Sequence, residues 1–87
     1  MATVEERVKA VTARVLKVEP DEIKNEHNFT ADLGAESVQS IELVAMFEEE
    51  FGIVMDEDAA LSVETVGGAV EFIANICKKQ GVEADEV

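Results

Sequence analysis

The chain has 87 residues, of which 47% are hydrophobic, and 20 acidic against 7 basic residues give it a formal net charge of −13. Its length suits one small domain, and its negative charge repels phosphate backbones and anionic lipid surfaces, so we expect neither nucleic acid nor a membrane as a partner. A single cysteine excludes an internal disulfide, and the sequence offers neither a signal peptide nor an apolar run that could span a bilayer, so we expect a cytoplasmic protein.

The first predicted helix extends from about Val4 to Lys17. Thr3 followed by Glu6 fits a capping box, in which each side chain binds the backbone of the other residue. Valines then recur at the spacing of one helical face. This apolar face comprises Val4, Val8, Val11 and Val15.

A long loop is predicted after this helix, because Pro20 disfavours helical geometry at the preceding residue. The stretch 21–36, DEIKNEHNFTADLGAE, has few apolar residues and no helical period. Its acidic clusters lack the ligand pattern of a calcium-binding loop, and its lone His27 is expected to be solvated, so we assign no metal site here. The apolar residues expected to hold the loop to the core are Ile23, Phe29 and Leu33.

The second predicted helix spans 37–51 and carries more apolar residues than one buried face needs. Gly34 permits a turn before it, Ser37 lies where an N-cap belongs, and Gly52 is expected to end it. Its apolar residues fall into two stripes. One stripe comprises Leu43, Phe47 and Phe51, with Val44 at its edge, and the other comprises Val38, Ile41 and Ala45.

Two interpretations of the second stripe are open. Either the helix is central and buries both stripes, or the second stripe is an exposed patch rimmed by Glu42, Glu48 and Glu49, which is typical of a docking site. Between Lys24 and Lys78 the sequence has twelve acidic residues and no Lys or Arg. Because a field of one sign accelerates encounter with oppositely charged surfaces, basic proteins are the expected partners.

The stretch 56–63, DEDAALSV, predicts only a short helical turn. Asp56 is placed to cap this turn. We expect the side chains of Leu61 and Val63 to point towards the core, since they are the two large apolar residues of the segment.

The last predicted helix begins at Val66 and ends near Lys78 and Lys79, whose charges suit the C-terminal end of a helix dipole. Gly67 and Gly68 lie in its first turn, and either close packing or local looseness explains them. The inner face of this helix includes the lone cysteine, which we interpret as a small buried apolar residue. That face comprises Val66, Ala69, Val70, Ile73, and Ile76 or Cys77.

Ser37 is the main candidate for a residue that reacts chemically, although a serine at this position usually acts only as a cap. The only histidine, His27, lies in the loop, and no Ser, His and Asp set can be assembled, so we predict no catalytic residue and no hydrolase. As an acceptor, Ser37 is well placed. An anionic phosphodiester there would meet the free N–H groups and the positive dipole of a helix N-terminus.

The segment 32–53, DLGAESVQSIELVAMFEEEFGI, closely resembles the acyl carrier proteins. Their signature is Asp-Leu-Gly-x-Asp-Ser-Leu, followed by a helix that contains Glu-Leu-Val and ends in glutamates and Phe. The similarity extends over about 4–76. Glu36 in place of Asp, Val38 in place of Leu, and two glycines that open the last helix depart from the pattern. The changes at Glu36 and Val38 suggest a different choice of partners and hence a specialised carrier.

The resemblance implies an all-α bundle of three long helices and one short helix, and we expect it to form a single, monomeric carrier domain over 1–80. The stretch 81–87, GVEADEV, has no periodicity and three acidic residues, so we expect a flexible acidic tail there. The resemblance implies a carrier, not an enzyme, whose Ser37 receives 4′-phosphopantetheine from coenzyme A through a phosphopantetheinyl transferase. The group would carry acyl intermediates as thioesters in fatty-acid or related polyketide or specialised lipid biosynthesis. Ketosynthases, acyltransferases and other enzymes with basic patches would be its partners.

The resemblance also assigns two sets of residues in addition to Ser37. The docking surface would comprise Glu36, Val38, Ile41, Glu42, Ala45, Glu48 and Glu49. The acyl-chain pocket would comprise Phe29, Val44, Phe47, Ala69 and Ile73. The alternative function is an unmodified acidic helical module for protein–protein interaction, which would use the same helix surface and keep Ser37 only as a cap.

Overall fold

The computed structural model describes residues 3–82 of the chain. The regular elements in this range are all helical, namely a single 3₁₀ turn at Pro20–Glu22 and four α-helices. The α-helices are α1 (Val4–Leu16), α2 (Ser37–Phe51), α3 (Glu57–Leu61) and α4 (Val66–Gln80). The predicted all-α architecture of three long helices, one short helix and a long first loop is confirmed. Within the same range, every helix is too short or too polar to cross a membrane.

The capping box predicted at the start of α1 is present. Thr3 N–H donates to Glu6 Oε1, and Glu6 N–H donates to Thr3 Oγ1, both over 3.1 Å. The helix ends at Leu16, one residue before the predicted end, because Lys17 adopts a left-handed conformation with φ 58° and ψ 47°. Its apolar face is turned inward as predicted, with Val4, Val8 and Val11 buried and Val15 packed against the core.

Arg7 joins α1 to the last turn of α2. Its Nε donates to Glu50 Oε2 over 2.9 Å, and its Nη2 donates to the Glu50 carbonyl over 2.8 Å. The guanidinium also lies 4.3 Å from the centroid of the Phe51 ring. A cation at this position complements the negative end of the α2 dipole and the face of the aromatic ring. These contacts hold one face of α2 against α1.

α2 buries only one of its two apolar stripes. Leu43, Phe47 and Phe51 are buried in the hydrophobic core, to which α1 and α4 also contribute buried residues. In contrast, Val38 is 75% exposed and Ile41 is 51% exposed. Of the two interpretations left open by the sequence, the structure therefore supports the exposed apolar patch.

The long loop is ordered by the core and by the neighbouring helices. Ile23 and Phe29 are buried and Leu33 is half-buried, as predicted. Asn25 Nδ2 donates to Glu5 Oε1 of α1 over 2.9 Å, and this hydrogen bond lowers the pKa of the Glu5 carboxyl.

Close packing, not looseness, explains Gly67 at the start of α4. Its N–H donates to the Asn25 carbonyl over 2.8 Å, and the next hydrogen bond joins Val66 N–H to the His27 carbonyl over 3.0 Å. A Cβ atom on Gly67 would lie 3.1 Å from the Asn25 oxygen. The first turn of α4 thus rests directly on the backbone of the loop.

Leu61 is not the core residue that the sequence predicted. Asp56 caps α3 as expected, with Asp58 N–H donating to its Oδ1 over 3.2 Å. Ala60 and Val63 are the residues of this segment that pack against the core, while Leu61 is 41% exposed. Successive helical residues differ by about 100° in direction, so a turn that presents Ala60 to the core places Leu61 at the edge of the core.

α4 ends at Gln80, one residue further than predicted, because Gly81 adopts a left-handed conformation with φ 68°. Val82 N–H then donates to the Cys77 carbonyl over 2.9 Å. Cys77 itself is buried, as predicted, and burial raises the pKa of its thiol. Residues 83–87 of the predicted acidic tail lie outside the described residues, so the tail over 81–87 stays a prediction.

Candidate functional site

Ser37 is the first residue of α2 and not its cap, so the prediction for the cap was wrong by one residue. The first helical hydrogen bond of α2 runs from Ser40 N–H to the Glu36 carbonyl over 2.9 Å, which makes Glu36 the N-cap. The Glu36 backbone is extended, with φ −90° and ψ 168°, and its N–H donates to Gln39 Oε1 over 2.9 Å. The Ser37 hydroxyl is therefore not needed to start the helix.

The Ser37 hydroxyl is chemically available. The residue is exposed, and within residues 3–82 its Oγ takes part in no hydrogen bond. The N–H groups of the first turn of a helix lack intrahelical acceptors, and the dipole makes this end positive. A phosphodiester formed at this oxygen would meet favourable charge and free donors.

An open hollow of about 710 Å³ lies beside Ser37. It extends over the first turns of α2, the end of the loop and the end of α3. Its lining mixes hydroxyl groups with apolar side chains and one carboxylate. The residues around it are Thr30, Ala35, Glu36, Ser37, Val38, Ser40, Ile41 and Leu61. The hollow leaves room for a long substituent on Ser37.

A second space, the interior cavity, has a volume of about 210 Å³ and is partly enclosed by α2, α3 and α4. The five residues predicted for an acyl-chain pocket, Phe29, Val44, Phe47, Ala69 and Ile73, all line it. The resemblance did not assign Leu43, Met55, Leu61 or Phe72 to this pocket, although they line it too. Phe72 was detectable in principle, because it lies three residues after Ala69 on the same side of α4.

The comparison with known families covers most of the described chain. A family model described as a phosphopantetheine attachment site matches residues 6–73. The chain belongs to this family. It is a phosphopantetheine-binding carrier domain of the acyl-carrier-protein type, and such domains carry a covalently attached 4′-phosphopantetheine group. The family's domain is a carrier, not a catalytic domain, and it is modified by phosphopantetheinyl transferases and interacts with biosynthetic enzymes.

The residues of this carrier domain fit the group that the family bears. Ser37 offers a free, exposed hydroxyl at a helix N-terminus, and the adjoining hollow is open to solvent. When bound, phosphopantetheine supplies the thiol that holds acyl groups as thioesters. The chain's own thiol is unsuited to that task, because Cys77 is buried in α4 and its pKa is raised.

The residues predicted for the docking surface of the carrier domain differ in exposure. The six on the outer side of α2 and at its start are exposed, namely Glu36, Val38, Ile41, Glu42, Ala45 and Glu49. Glu48 is half-buried, and its Oε2 accepts a hydrogen bond from Met55 N–H over 2.8 Å. One carboxylate oxygen of Glu48 thus helps to hold the segment that joins α2 and α3 in place.

Replacing Glu48 by alanine is expected to destabilise the carrier domain by about 1–3 kcal/mol, because the N–H of the buried Met55 loses its acceptor. Glu48→Gln keeps an oxygen in the same position and should cost less than half as much. Urea denaturation followed by circular dichroism measures both effects. Glu49→Ala is the matched control, since Glu49 is an exposed neighbour with the same charge. Equal stability of the Ala and Gln variants would contradict this role.

Proposed function

We propose that this carrier domain, over about residues 1–80, bears 4′-phosphopantetheine on Ser37 and passes acyl intermediates as thioesters between enzymes of fatty-acid or related biosynthesis. The observation that carries the proposal is the uncommitted hydroxyl of Ser37, exposed at the first turn of α2. The Ser37 oxygen forms the new phosphodiester bond, adenosine 3′,5′-bisphosphate leaves from coenzyme A, and the hydroxyl proton passes to a base of the transferase.

The outer face of α2 supports docking to basic enzymes. Val38 and Ile41 are exposed apolar residues beside Ser37, and Glu42 and Glu49 are exposed acidic residues on the same helix. Charge steers the encounter over long distances, while a small apolar contact holds the complex only briefly. A carrier that visits several enzymes in turn needs this combination of fast association and fast release.

The interior cavity supports a further part of the proposal, namely that the cargo is apolar. Its walls are largely aliphatic and aromatic, and they include Val44, Phe47 and Ile73. Burial of an acyl chain against these side chains removes apolar surface from water, which stabilises the loaded carrier. The cavity residues predicted from the family resemblance are thus proposed to receive the acyl chain.

The test of the proposed function is the intact mass of the protein after incubation with coenzyme A, magnesium and a broad-specificity phosphopantetheinyl transferase. We expect a gain of one phosphopantetheine per chain. Absence of any gain with several transferases would favour the alternative function, an unmodified acidic interaction module. The exposed face of α2 would then be tested directly for binding to basic proteins.

Reversing two charges on the docking face is expected to slow modification of Ser37. The double variant Glu42→Lys, Glu49→Lys should lower the rate at limiting carrier concentration by about tenfold, because electrostatic steering is lost. Glu19→Lys, Glu71→Lys is the matched control, since it changes the same charge at exposed residues outside α2. The initial rates at low and high salt measure the effect. Equal rates for the two double variants would contradict docking through α2.

A further inference from the structure

Leu61 has an unusual environment for a large apolar side chain. It is the last residue of α3, and 41% of its surface is exposed. It nevertheless contributes to two separate spaces, because it lines both the open hollow beside Ser37 and the interior cavity. Its side chain therefore stands between the surface near the attachment serine and the interior of the bundle.

Leu61 shares this double position with two other residues of the described chain. Thr30 from the loop and Ser40 from α2 also line both spaces. The three residues come from three elements and lie where the two spaces adjoin. Thr30 and Ser40 have short hydroxyl side chains, so Leu61 is the largest and the only aliphatic member of the three. It is also carried by the shortest α-helix of the described range, a single turn of five residues.

We infer that Leu61 is the wall that separates the hollow from the interior cavity, and that its side chain controls entry of an acyl chain held at Ser37. This inference rests on the proposed function. The neighbouring apolar residues do not have the same position, since Val38 and Ile41 line only the hollow. Leu61 is thus a positioning residue for the cargo, distinct from the residues of the exposed α2 patch.

The size of the cavity points to the class of cargo. An apolar cavity of about 150 Å³ accommodates one benzene molecule, that is, six carbon atoms. In proportion, the cavity of about 210 Å³ behind Leu61 accommodates about eight carbon atoms. Eleven of its fourteen lining residues are apolar, and Thr30, Ser40 and Glu64 are the polar ones. The geometry therefore favours an unbranched aliphatic acyl chain of about eight carbons, with longer chains leaving part of their length outside.

The experiment compares a series of saturated acyl groups on the modified protein. A transferase loads Ser37 from acyl-coenzyme A thioesters of two to about twelve carbons, and intact mass establishes loading for every sample. The melting temperature and the rate of thioester hydrolysis are then measured. In the parent, we expect the melting temperature to rise with chain length and to level off at about eight carbons, because a chain bound only by the folded state stabilises it.

Two variants of Leu61 test whether this residue controls entry to the cavity or belongs to the docking surface. Leu61→Ala should lose at least half of the chain-length-dependent rise in melting temperature and should hydrolyse about threefold faster, since truncation opens the cavity to water. Leu61→Met preserves the volume and should behave as the parent. Ile41→Ala is the matched control, because it removes an exposed apolar side chain from the hollow alone.

Several results would overturn the inference. A Leu61→Ala protein that follows the parent across the series would show that Leu61 does not separate the two spaces. If Leu61→Ala and Ile41→Ala lost the chain-length-dependent rise in melting temperature equally, Leu61 would belong to the exposed patch. A parent that loads fully but shows no dependence on chain length would remove the cavity as the cargo site. Failure to load at all is a different result, visible by mass, and it would overturn the proposed function as well.

Discussion

Ser37→Ala is expected to abolish the mass gain of one phosphopantetheine completely, while Ser40→Ala retains it. The two serines lie one turn apart on α2 and line the same hollow. A difference between the two variants therefore shows which hydroxyl is modified and does not reflect a change in the hollow. Only Ser37 lies at the first position of the helix, where free N–H groups and the dipole favour a phosphodiester. Loss of the Ser37 oxygen removes the atom that forms the bond.

The variants must be folded for this comparison to be meaningful. Ser37 is exposed and its hydroxyl caps nothing within the described residues, so Ser37→Ala should change the free energy of unfolding by no more than about 0.5 kcal/mol. Circular dichroism and a urea titration check this. Retention of the mass gain in Ser37→Ala, or its loss in Ser40→Ala alone, would move the attachment point away from Ser37.

Phe47→Ala is expected to destabilise the carrier domain by about 3–5 kcal/mol. The side chain is 4% exposed, lies in the buried stripe of α2 and lines the interior cavity. Its removal enlarges an existing cavity, which the surrounding helices cannot easily close. Since a domain of this length has a total stability of roughly 4–13 kcal/mol, this one change removes a large fraction of it.

The urea midpoint and slope measure the effect, and Val38→Ala provides the control. Val38 is on the same helix but is 75% exposed, so its truncation should cost no more than about 0.5 kcal/mol. A loss of less than about 1 kcal/mol in Phe47→Ala would mean that α2 is not held by its buried stripe. Comparable losses in both variants would mean that the second stripe is also covered in solution.

The sequence predicted the helices of this domain well, because each carries local signals. Thr3 and Glu6 form the capping box that they predict, and the valines of α1 occupy one buried face. Gly52 ends α2, and its left-handed conformation has φ 65°. Helical periodicity, capping and the conformational freedom of glycine act over a few residues, so they can be read without knowledge of distant contacts.

The features that the sequence left open or predicted wrongly depend on long-range placement. Gly67 is required because the backbone of the long loop, at Asn25, passes within contact of α4. The role of Glu48 became visible only when the segment after α2 brought Met55 N–H to its carboxylate. None of these contacts leaves a periodic signal in the chain.

By itself, the sequence determined the helical class, the order of the elements and the position of the serine motif, since local propensity and patterning specify them. Only the tertiary structure decided which surfaces are free. One stripe of α2 is buried and the other is exposed. Leu61, which the sequence predicts to be a core residue, instead lies between the hollow and the interior cavity. The reason is that exposure depends on which distant element covers a face, and a one-turn helix such as α3 takes its orientation from its neighbours and not from its own sequence.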